Sequence, residues 1–399
     1  MDSQSLTTAQ LASTMNSGYW QVDGKCFFEK IDCLQYASKI KNYNVSYHIF
    51  DQEYSSLNWS SDEFTFNLDE MYKRRAQQIR DKYEYVMVAF SGGADSRNLL
   101  NTFLENDIRV DEIVAYYPVQ ASDKLLSTFN AVDKSASNAI FEYYTACEPT
   151  LKAISAKYPN IKITLIDYTE YTIDLVAKDR PDELIKYGST LSVYNAGERM
   201  LSNMLKEYSE KYNSACCVYG IDKPNIRFDI SKNRFGVCIS DFAHNKCKFV
   251  IDGYRPIIEP FYQTPDMPQL LLAQAKVIKQ YLMPMLTGES ITPAVQSIMS
   301  NSRDPNVKMI EPHTDIVKTI LYKNYNPTIY QSDKPIMHFA GQEPESWFHK
   351  SSLVDSKTVD YFFGQHNDWL YNVDDALIVR DDKGIPIKFK PYSSKIYWC

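Results

Sequence analysis

The hydrophobic positions of this chain change period several times, and each change marks an element. Tyr85-Val86-Met87-Val88-Ala89-Phe90 is a short apolar run, the pattern of a strand buried on both faces of a parallel sheet. Leu99, Leu100, Phe103 and Leu104 follow at helical spacing. Paired glycines lie between the two segments, so the stretch reads as strand, tight turn, helix. Apolar runs at 111–118, 161–168 and 215–220 predict three further strands, and helical periodicity over roughly 124–157 and 193–212 separates them. Strands alternating with helices of this length predict right-handed βαβ units, a parallel sheet and an α/β fold.

The flanks read differently. Asp23-Gly24 sits between Tyr19–Val22 and Lys25–Phe28, a strong hairpin signal. Ile31, Leu34, Ala37 and Ile40 predict a helix over 30–42, and 45–50 alternates like a strand. Residues 1–66 therefore read as a small α+β unit packed on a larger body, too short to hold a large core alone. A helix is expected over 68–82, with Met71, Tyr72, Ala76 and Ile79 on its apolar face, Asp69 and Glu70 early, and Arg80 and Lys82 late, an order that suits the helix dipole. Lys73, Arg74 and Arg75 are either a solvated face or phosphate contacts. Residues 67–225 form the expected nucleotide domain. Beyond 225 the pattern is mixed: strands over 233–240 and 248–255, prolines at 256, 260, 265 and 268, a helix over 270–286, and a hairpin around Asp382-Lys383-Gly384. Residues 226–399 read as a substrate-binding or cap region.

Composition narrows the class. The chain has 399 residues, 44% hydrophobic and 23% charged, as in folded proteins. A net charge of −7 argues against broad electrostatic binding of nucleic acid. The eight cysteines form no Cys-x-x-Cys pair and the six histidines no metal spacing, so the thiols are expected buried and reduced. His244, in a polar loop, is the one histidine placed to close over a substrate. No run approaches 18 apolar residues and the first residues lack a signal-peptide pattern, so a cytoplasmic protein without membrane contacts is expected.

The chemistry concentrates at Phe90-Ser91-Gly92-Gly93-Ala94-Asp95-Ser96. A glycine turn at a strand's end points backbone N–H groups and serine hydroxyls at one spot beside a helix N-terminus, which favours an anion. The Gly-x4-Gly-Lys-Ser/Thr spacing of a Walker loop is absent. Ser-Gly-Gly-x-Asp-Ser after a hydrophobic strand resembles the PP-loop of the ATP pyrophosphatases, a superfamily that includes asparagine synthetase, the amidating GMP and NAD synthetases, tRNA-lysidine synthetase, the thiouridine synthetases and PAPS-reductase-like proteins. The likeness follows the pattern of 85–225 and is letter for letter only at 91–96. It implies a HUP-like (Rossmann-like) nucleotide domain and cleavage of ATP between its α and β phosphates, with Mg²⁺. On that resemblance Ser91, Gly92, Gly93, Ala94 and Ser96 cradle phosphates, and Asp95 orients Mg²⁺ or the loop itself.

Ligands of parallel sheets bind beyond the strand C-termini, which brings in further candidates. Gly220-Ile221-Asp222-Lys223-Pro224 follows the fourth strand; Asp222 would hold Mg²⁺ and Lys223 would neutralise leaving pyrophosphate, or the segment is only a turn. Tyr116, Tyr117 and Gln120 end the second strand, where the resemblance places adenine, with Tyr117 the stacking candidate. Asp167 ends the third. The expected substrate is a small molecule or nucleobase, adenylated and then attacked by a nitrogen nucleophile in an amide- or amidine-forming ligase. Asp2, not cysteine, follows Met1, so an amide-forming enzyme would draw ammonia from solution, from an amino substrate or from a separate donor protein. Sulfur transfer, with a separate sulfur donor and a thiol among Cys147, Cys216, Cys217, Cys238 and Cys247, and adenine-nucleotide binding without chemistry, stand as alternatives.

Overall fold

Asp23 and Gly24 adopt positive φ, 50° and 73°, and close the hairpin that their sequence signals: β1 (Tyr19–Val22) pairs antiparallel with β2 (Lys25–Phe27). The computed structural model describes residues 7–8, 10, 16–61, 67–120, 142–186, 190–192, 195–221, 223–241, 253–286, 299–300, 309–325, 354–366, 373–380 and 386–399. α1 (Lys30–Ile40) buries Cys33, Leu34 and Ala37. β3 (Ser46–His48) pairs with the other side of β1. The strand expected to reach residue 50 stops at His48, because Asp51 begins the short helix α2 (Asp51–Ser55).

α3 (Leu68–Lys82) starts where Asn67 accepts the N–H groups of Asp69 and Glu70, a side-chain cap on otherwise orphaned donors. The alternating core follows: β4 (Tyr85–Ala89), α4 (Ala94–Glu105), β5 (Glu112–Tyr117), α5 (Glu148–Lys157), β6 (Lys162–Asp167), α6 (Thr169–Ala177), the short β7 (Ile185–Lys186) and β8 (Thr190–Leu191), α7 (Asn195–Lys211) and β9 (Ala215–Tyr219). Of the helix expected over 124–157, residues 121–141 lie outside the described residues; the remainder is helical, with a π-turn over Tyr143–Cys147 leading into α5. α6 was not anticipated from the sequence.

Later in the chain come β10 (Asn225–Asp229), β11 (Arg234–Cys238), β12 (Ile258–Pro260), α8 (Gln269–Leu286), β13 (Met299–Ser300), β14 (Met309–Pro312), α9 (Thr314–Leu321), α10 (Ser356–His366), β15 (Ile378–Arg380), β16 (Pro386–Phe389) and β17 (Tyr397–Trp398). β15 and β16 form the hairpin expected near the C-terminal end. The strand expected over 248–255 lies largely outside the described residues. Among those residues no helix is long and apolar enough to cross a membrane.

Five strands make an all-parallel sheet in the order β12-β9-β4-β5-β6. Side chains alternate across it as the pleat requires. Val86, Val88 and Phe90 of the central strand and its exit pack with α3, α4, α5 and α8 on one face. Met87 and Ala89 pack with α6, α7 and α10 on the other. This is the expected α/β layering, but the sheet does not end with 67–225: its outer strand β12 comes from the region read only as a cap. A second, antiparallel sheet has the order β13-β14-β10-β11-β17 and shares the first core. β10 is a strand missed by the sequence reading; its turn to β11 is tied by Asp229, which accepts from Ser231 and Lys232.

Two buried ion pairs fasten the added parts. Lys30 on α1 pairs with Asp241 at 2.7 Å, both nearly solvent-free, and Trp20 donates its indole N–H to the same carboxylate. Arg75 on α3 pairs with Glu259 on β12 at 2.7 Å, with neither side chain exposed. Arg75 also donates to the Pro260 carbonyl at 3.0 Å and to Gln78 at 2.9 Å. Lys82 and the Tyr83 hydroxyl complete the shell of Glu259. Burial alone would raise the Glu259 carboxyl; Arg75, Tyr83 and Lys82 outweigh it and hold it below the ordinary carboxylate range. Arg75 thus serves the interior, whereas Lys73 and Arg74 remain exposed.

Glu259→Gln strands a buried guanidinium, and removing one partner of such a pair costs about 3–5 kcal/mol. Urea denaturation at neutral pH is expected to show a loss of that size, most of it recovered in Arg75→Met/Glu259→Leu.

Candidate functional site

The sheet order reverses beside β4: β5 and β6 build outward on one side, β9 and β12 on the other. Such a switch point opens a crevice beyond the strand C-termini. The Phe90–Ser96 turn leaves β4 at that crevice, and Gly220 leaves β9 opposite it. The two exits touch. A Cβ on Gly220 would lie 2.8 Å from the backbone oxygen of Asp95, so only glycine permits this approach. Gly92 has φ +77°, and a Cβ there would lie 2.6 Å from the backbone nitrogen of Cys147. The loop is therefore wedged between the π-turn before α5 and the end of β9.

Internal bonds set its shape. The Ser91 N–H donates to the Ser96 hydroxyl at 3.3 Å, which donates to the Gly93 carbonyl at 3.1 Å. Ser96 is buried and closes the loop, while Ser91 is exposed. Tyr117 donates its hydroxyl to the Ser91 carbonyl at 2.5 Å, and Arg97 donates to the carbonyls of Gly92 and Ala146. The first bond of α4 runs from the Arg97 N–H to the Gly93 carbonyl at 3.0 Å. The N–H groups of the preceding turn carry the partial positive charge of a helix start.

Asp95 is the electrostatic centre. Its Oδ2 lies 2.8 Å from the Lys318 ammonium and its Oδ1 accepts the Tyr322 hydroxyl at 2.6 Å. The Tyr262 hydroxyl donates to its backbone oxygen at 2.7 Å and receives the Asn98 amide at 3.0 Å. Burial pushes the Asp95 carboxyl up; the charge of Lys318, then that of Lys223, then the bonds from Lys318 and Tyr322 pull it down. The balance leaves it below its ordinary value of 3.8.

The structure therefore brings together Ser91, Gly92, Gly93, Ala94, Asp95, Ser96 and Tyr117, with Lys223 near enough to act on Asp95. Asp222, His244 and Cys247 lie outside the described residues. Tyr117 braces the loop through its hydroxyl, with its ring buried. Tyr116 sits on the opposite face of the sheet, packed where a Gly197 side chain would be. Asp167 accepts from the N–H groups of Gln120 and Thr169 and from the Thr169 hydroxyl, so it shapes the start of α6 and the exit of β5. Lys318, Tyr322 and Tyr262 were missed by sequence reasoning. The one sequence signal for Lys318 is its position within the apolar face of α9, between Val317 and Leu321, where it is 8% exposed.

Among the described residues no group of three or more His, Cys, Asp or Glu side chains is placed to hold a metal. Asp95 offers one ionised carboxylate, which suits Mg²⁺ arriving with a nucleotide, because that ion takes one or two carboxylates and draws its other ligands from phosphates and water. Cys147 is buried beside the loop and its thiol is pushed up to about 12, first by burial and then by Glu142, the opposite of a nucleophile's environment.

Gly92→Ala forces a side chain into the left-handed region against backbone, and is expected to cost about 1–3 kcal/mol by thermal or urea unfolding. The depressed Asp95 carboxyl stabilises the fold while ionised. That contribution is complete above the ordinary value of 3.8 and is lost as pH falls through the lower folded value. Lys318→Met is expected to lose about 1–3 kcal/mol at neutral pH, a deficit that narrows in urea titrations at successively lower pH, once Asp95 is protonated.

No family model matches this chain, and no curated protein matches it in sequence.

Proposed function

We propose that this chain is a Mg²⁺-dependent ATP pyrophosphatase of the PP-loop type with a HUP-like nucleotide domain. A substrate oxygen attacks the α-phosphorus of ATP, the bond to the β-phosphate breaks, and pyrophosphate leaves; a nitrogen nucleophile then displaces AMP. The observation that carries this reading is the meeting at one switch-point crevice of a glycine loop at a helix start with Lys318 bonded to Asp95 and Lys223 within electrostatic reach of it. Pyrophosphate departure builds negative charge, and fixed cations at that point are the main help a protein gives. The α4 N-terminus, Lys318 and Lys223 are the groups suited to it.

Mg²⁺, when bound with ATP, would be held by Asp95 and would screen the phosphates. Asp95 otherwise orients Lys318 and keeps the loop closed through Tyr322 on its carboxylate and Tyr262 on its backbone oxygen. Ser91 and the first-turn N–H groups of α4 bind the phosphates. The sulfur-transfer alternative loses ground at Cys147, a thiol packed against the loop, which is held protonated and buried. The acceptor is a small molecule or nucleobase rather than a nucleic acid, in line with the net charge of −7.

Incubation with α-³²P-labelled ATP, Mg²⁺ and a small-molecule extract is expected to give AMP and pyrophosphate. Lys318→Ala and Asp95→Ala are each expected to lower the rate at least about a hundredfold, as loss of one transition-state charge contact does. ADP and phosphate from the wild type would overturn the reading.

A further inference from the structure

A second cluster of reactive side chains lies on the small N-terminal sheet, on elements that do not carry the loop. Ser46 and His48 are two positions apart on β3, so the pleat puts both side chains on one face. The Ser46 Oγ lies 2.8 Å from His48 Nε2, and His48 Nδ1 lies 2.7 Å from Asp51 Oδ2. Hydroxyl, imidazole and carboxylate in that order form the arrangement that activates a serine, and it is recognised by geometry and roles rather than by place in the chain.

The neighbours set the roles of the two ring nitrogens. A carboxylate only accepts, so Nδ1 is assigned the proton and Nε2 presents its lone pair to the Ser46 hydroxyl. The other acceptor within reach of that hydroxyl, the Gln21 carbonyl, is at 3.4 Å, so the shorter bond to His48 is favoured.

The imidazole and the carboxylate are themselves held. Phe50, a bulky residue at φ 48°, turns the chain between β3 and α2 and brings Asp51 back to the ring. Tyr397 on β17 donates its hydroxyl to Asp51 Oδ1 at 3.1 Å; burial first, then Asp51, holds that phenol above its ordinary value, so it stays a donor. Tyr19, opposite His48 in the β1–β3 register, stacks on the imidazole with ring centres 5.0 Å apart and planes 11° from parallel. His48 and Asp51 are half-buried while Ser46 is exposed, which shelters the base and leaves the nucleophile open. Gln21 sits directly across from Ser46. Its amide nitrogen donates to the Cys26 sulfur at 3.5 Å, a weak acceptor, so the amide can turn toward an oxyanion formed at Ser46.

We propose that Ser46, His48 and Asp51 form a second catalytic centre, one that hydrolyses small carboxylic esters. The Ser46 Oγ attacks the ester carbonyl carbon and its proton passes to His48 Nε2. The bond from that carbon to the leaving oxygen breaks, the departing alcohol takes the proton from Nε2, and an acyl ester of Ser46 remains. Water then attacks the acyl carbon and gives a proton to Nε2; the bond to Oγ breaks, the carboxylic acid departs and Oγ regains the proton. Water is the only co-reactant. The open setting of Ser46 suits a short acyl group. Nothing in this assignment rests on the pyrophosphatase reading.

The test is reaction of the full chain with a biotin-linked fluorophosphonate, read by peptide mass mapping, beside hydrolysis of p-nitrophenyl acetate. The phosphonate is expected on Ser46. Ester hydrolysis is expected to fall at least about tenfold in Ser46→Ala, His48→Gln and Asp51→Asn, as loss of a nucleophile or of its general base does. Melting temperatures show that each variant is folded; if Asp51→Asn unfolds through Tyr397, the Ser46 and His48 variants decide the outcome. No labelling, labelling at another residue, acetyl transfer to Cys26 in place of Ser46, or hydrolysis unchanged in Ser46→Ala or His48→Gln would overturn the proposal.

Discussion

A carboxylate in the first turn of a half-buried helix has to be neutralised, and at Asp95 that requirement organises the site. The helix start supplies part of the compensation and Lys318 supplies the rest at 2.8 Å, with Tyr322 on the second oxygen. Because Lys318 and Tyr322 stand at the end of α9, the distant C-terminal region is drawn over the loop. Without them, burial would be opposed chiefly by Lys223 and the helix start, and desolvation would favour the neutral form. The same contacts that keep the carboxylate ionised thus place a fixed ammonium at the mouth of the crevice.

The crevice itself comes from backbone geometry. β4 and β9 lie side by side and send their chains in opposite directions at the switch point, and Gly220 lets the two exits come within van der Waals contact. Gly92 does the same against the π-turn before α5. Two glycines therefore fix the loop by what they omit, while the Ser91–Ser96 bonds and Tyr117 fix it by what they hold. At the other side of the sheet, Arg75 and Glu259 bind α3 to the outer strand β12. This pair anchors the middle of α3, which packs against the loop helix α4. Aromatic packing of Tyr72, Phe261, Tyr262 and Tyr322 continues that connection beneath Asp95.

Sequence reasoning succeeded where neighbours along the chain decide the outcome. The Asp23-Gly24 turn, the capped helix at Leu68–Lys82, the strand–turn–helix around Gly92 and Gly93, and the four parallel strands follow from local steric preferences and from the period of apolar residues. Gly92 needs a backbone that other residues resist, and its neighbours in sequence already say so. The same reasoning failed on short or ambiguous segments. β12 spans only three residues and contains a proline, so its membership in the parallel sheet depends on the exposed edge of β9. Arg75 looked like one of three solvated bases, and only the arrival of Glu259, 184 positions away, makes it an interior residue.

The sequence by itself determined that this chain has a parallel α/β core and a glycine turn between one strand and the helix that follows it, because torsional preference and hydrophobic period act over a few residues. Only the tertiary structure decided which charges face that loop. Lys318 and Tyr322 lie more than two hundred positions from Asp95, and Tyr72 is buried by packing against Phe261 and Tyr262 rather than by its own helix. Electrostatic and hydrogen-bond partners are chosen by distance in space, and a one-dimensional pattern holds no record of that distance until the chain has folded.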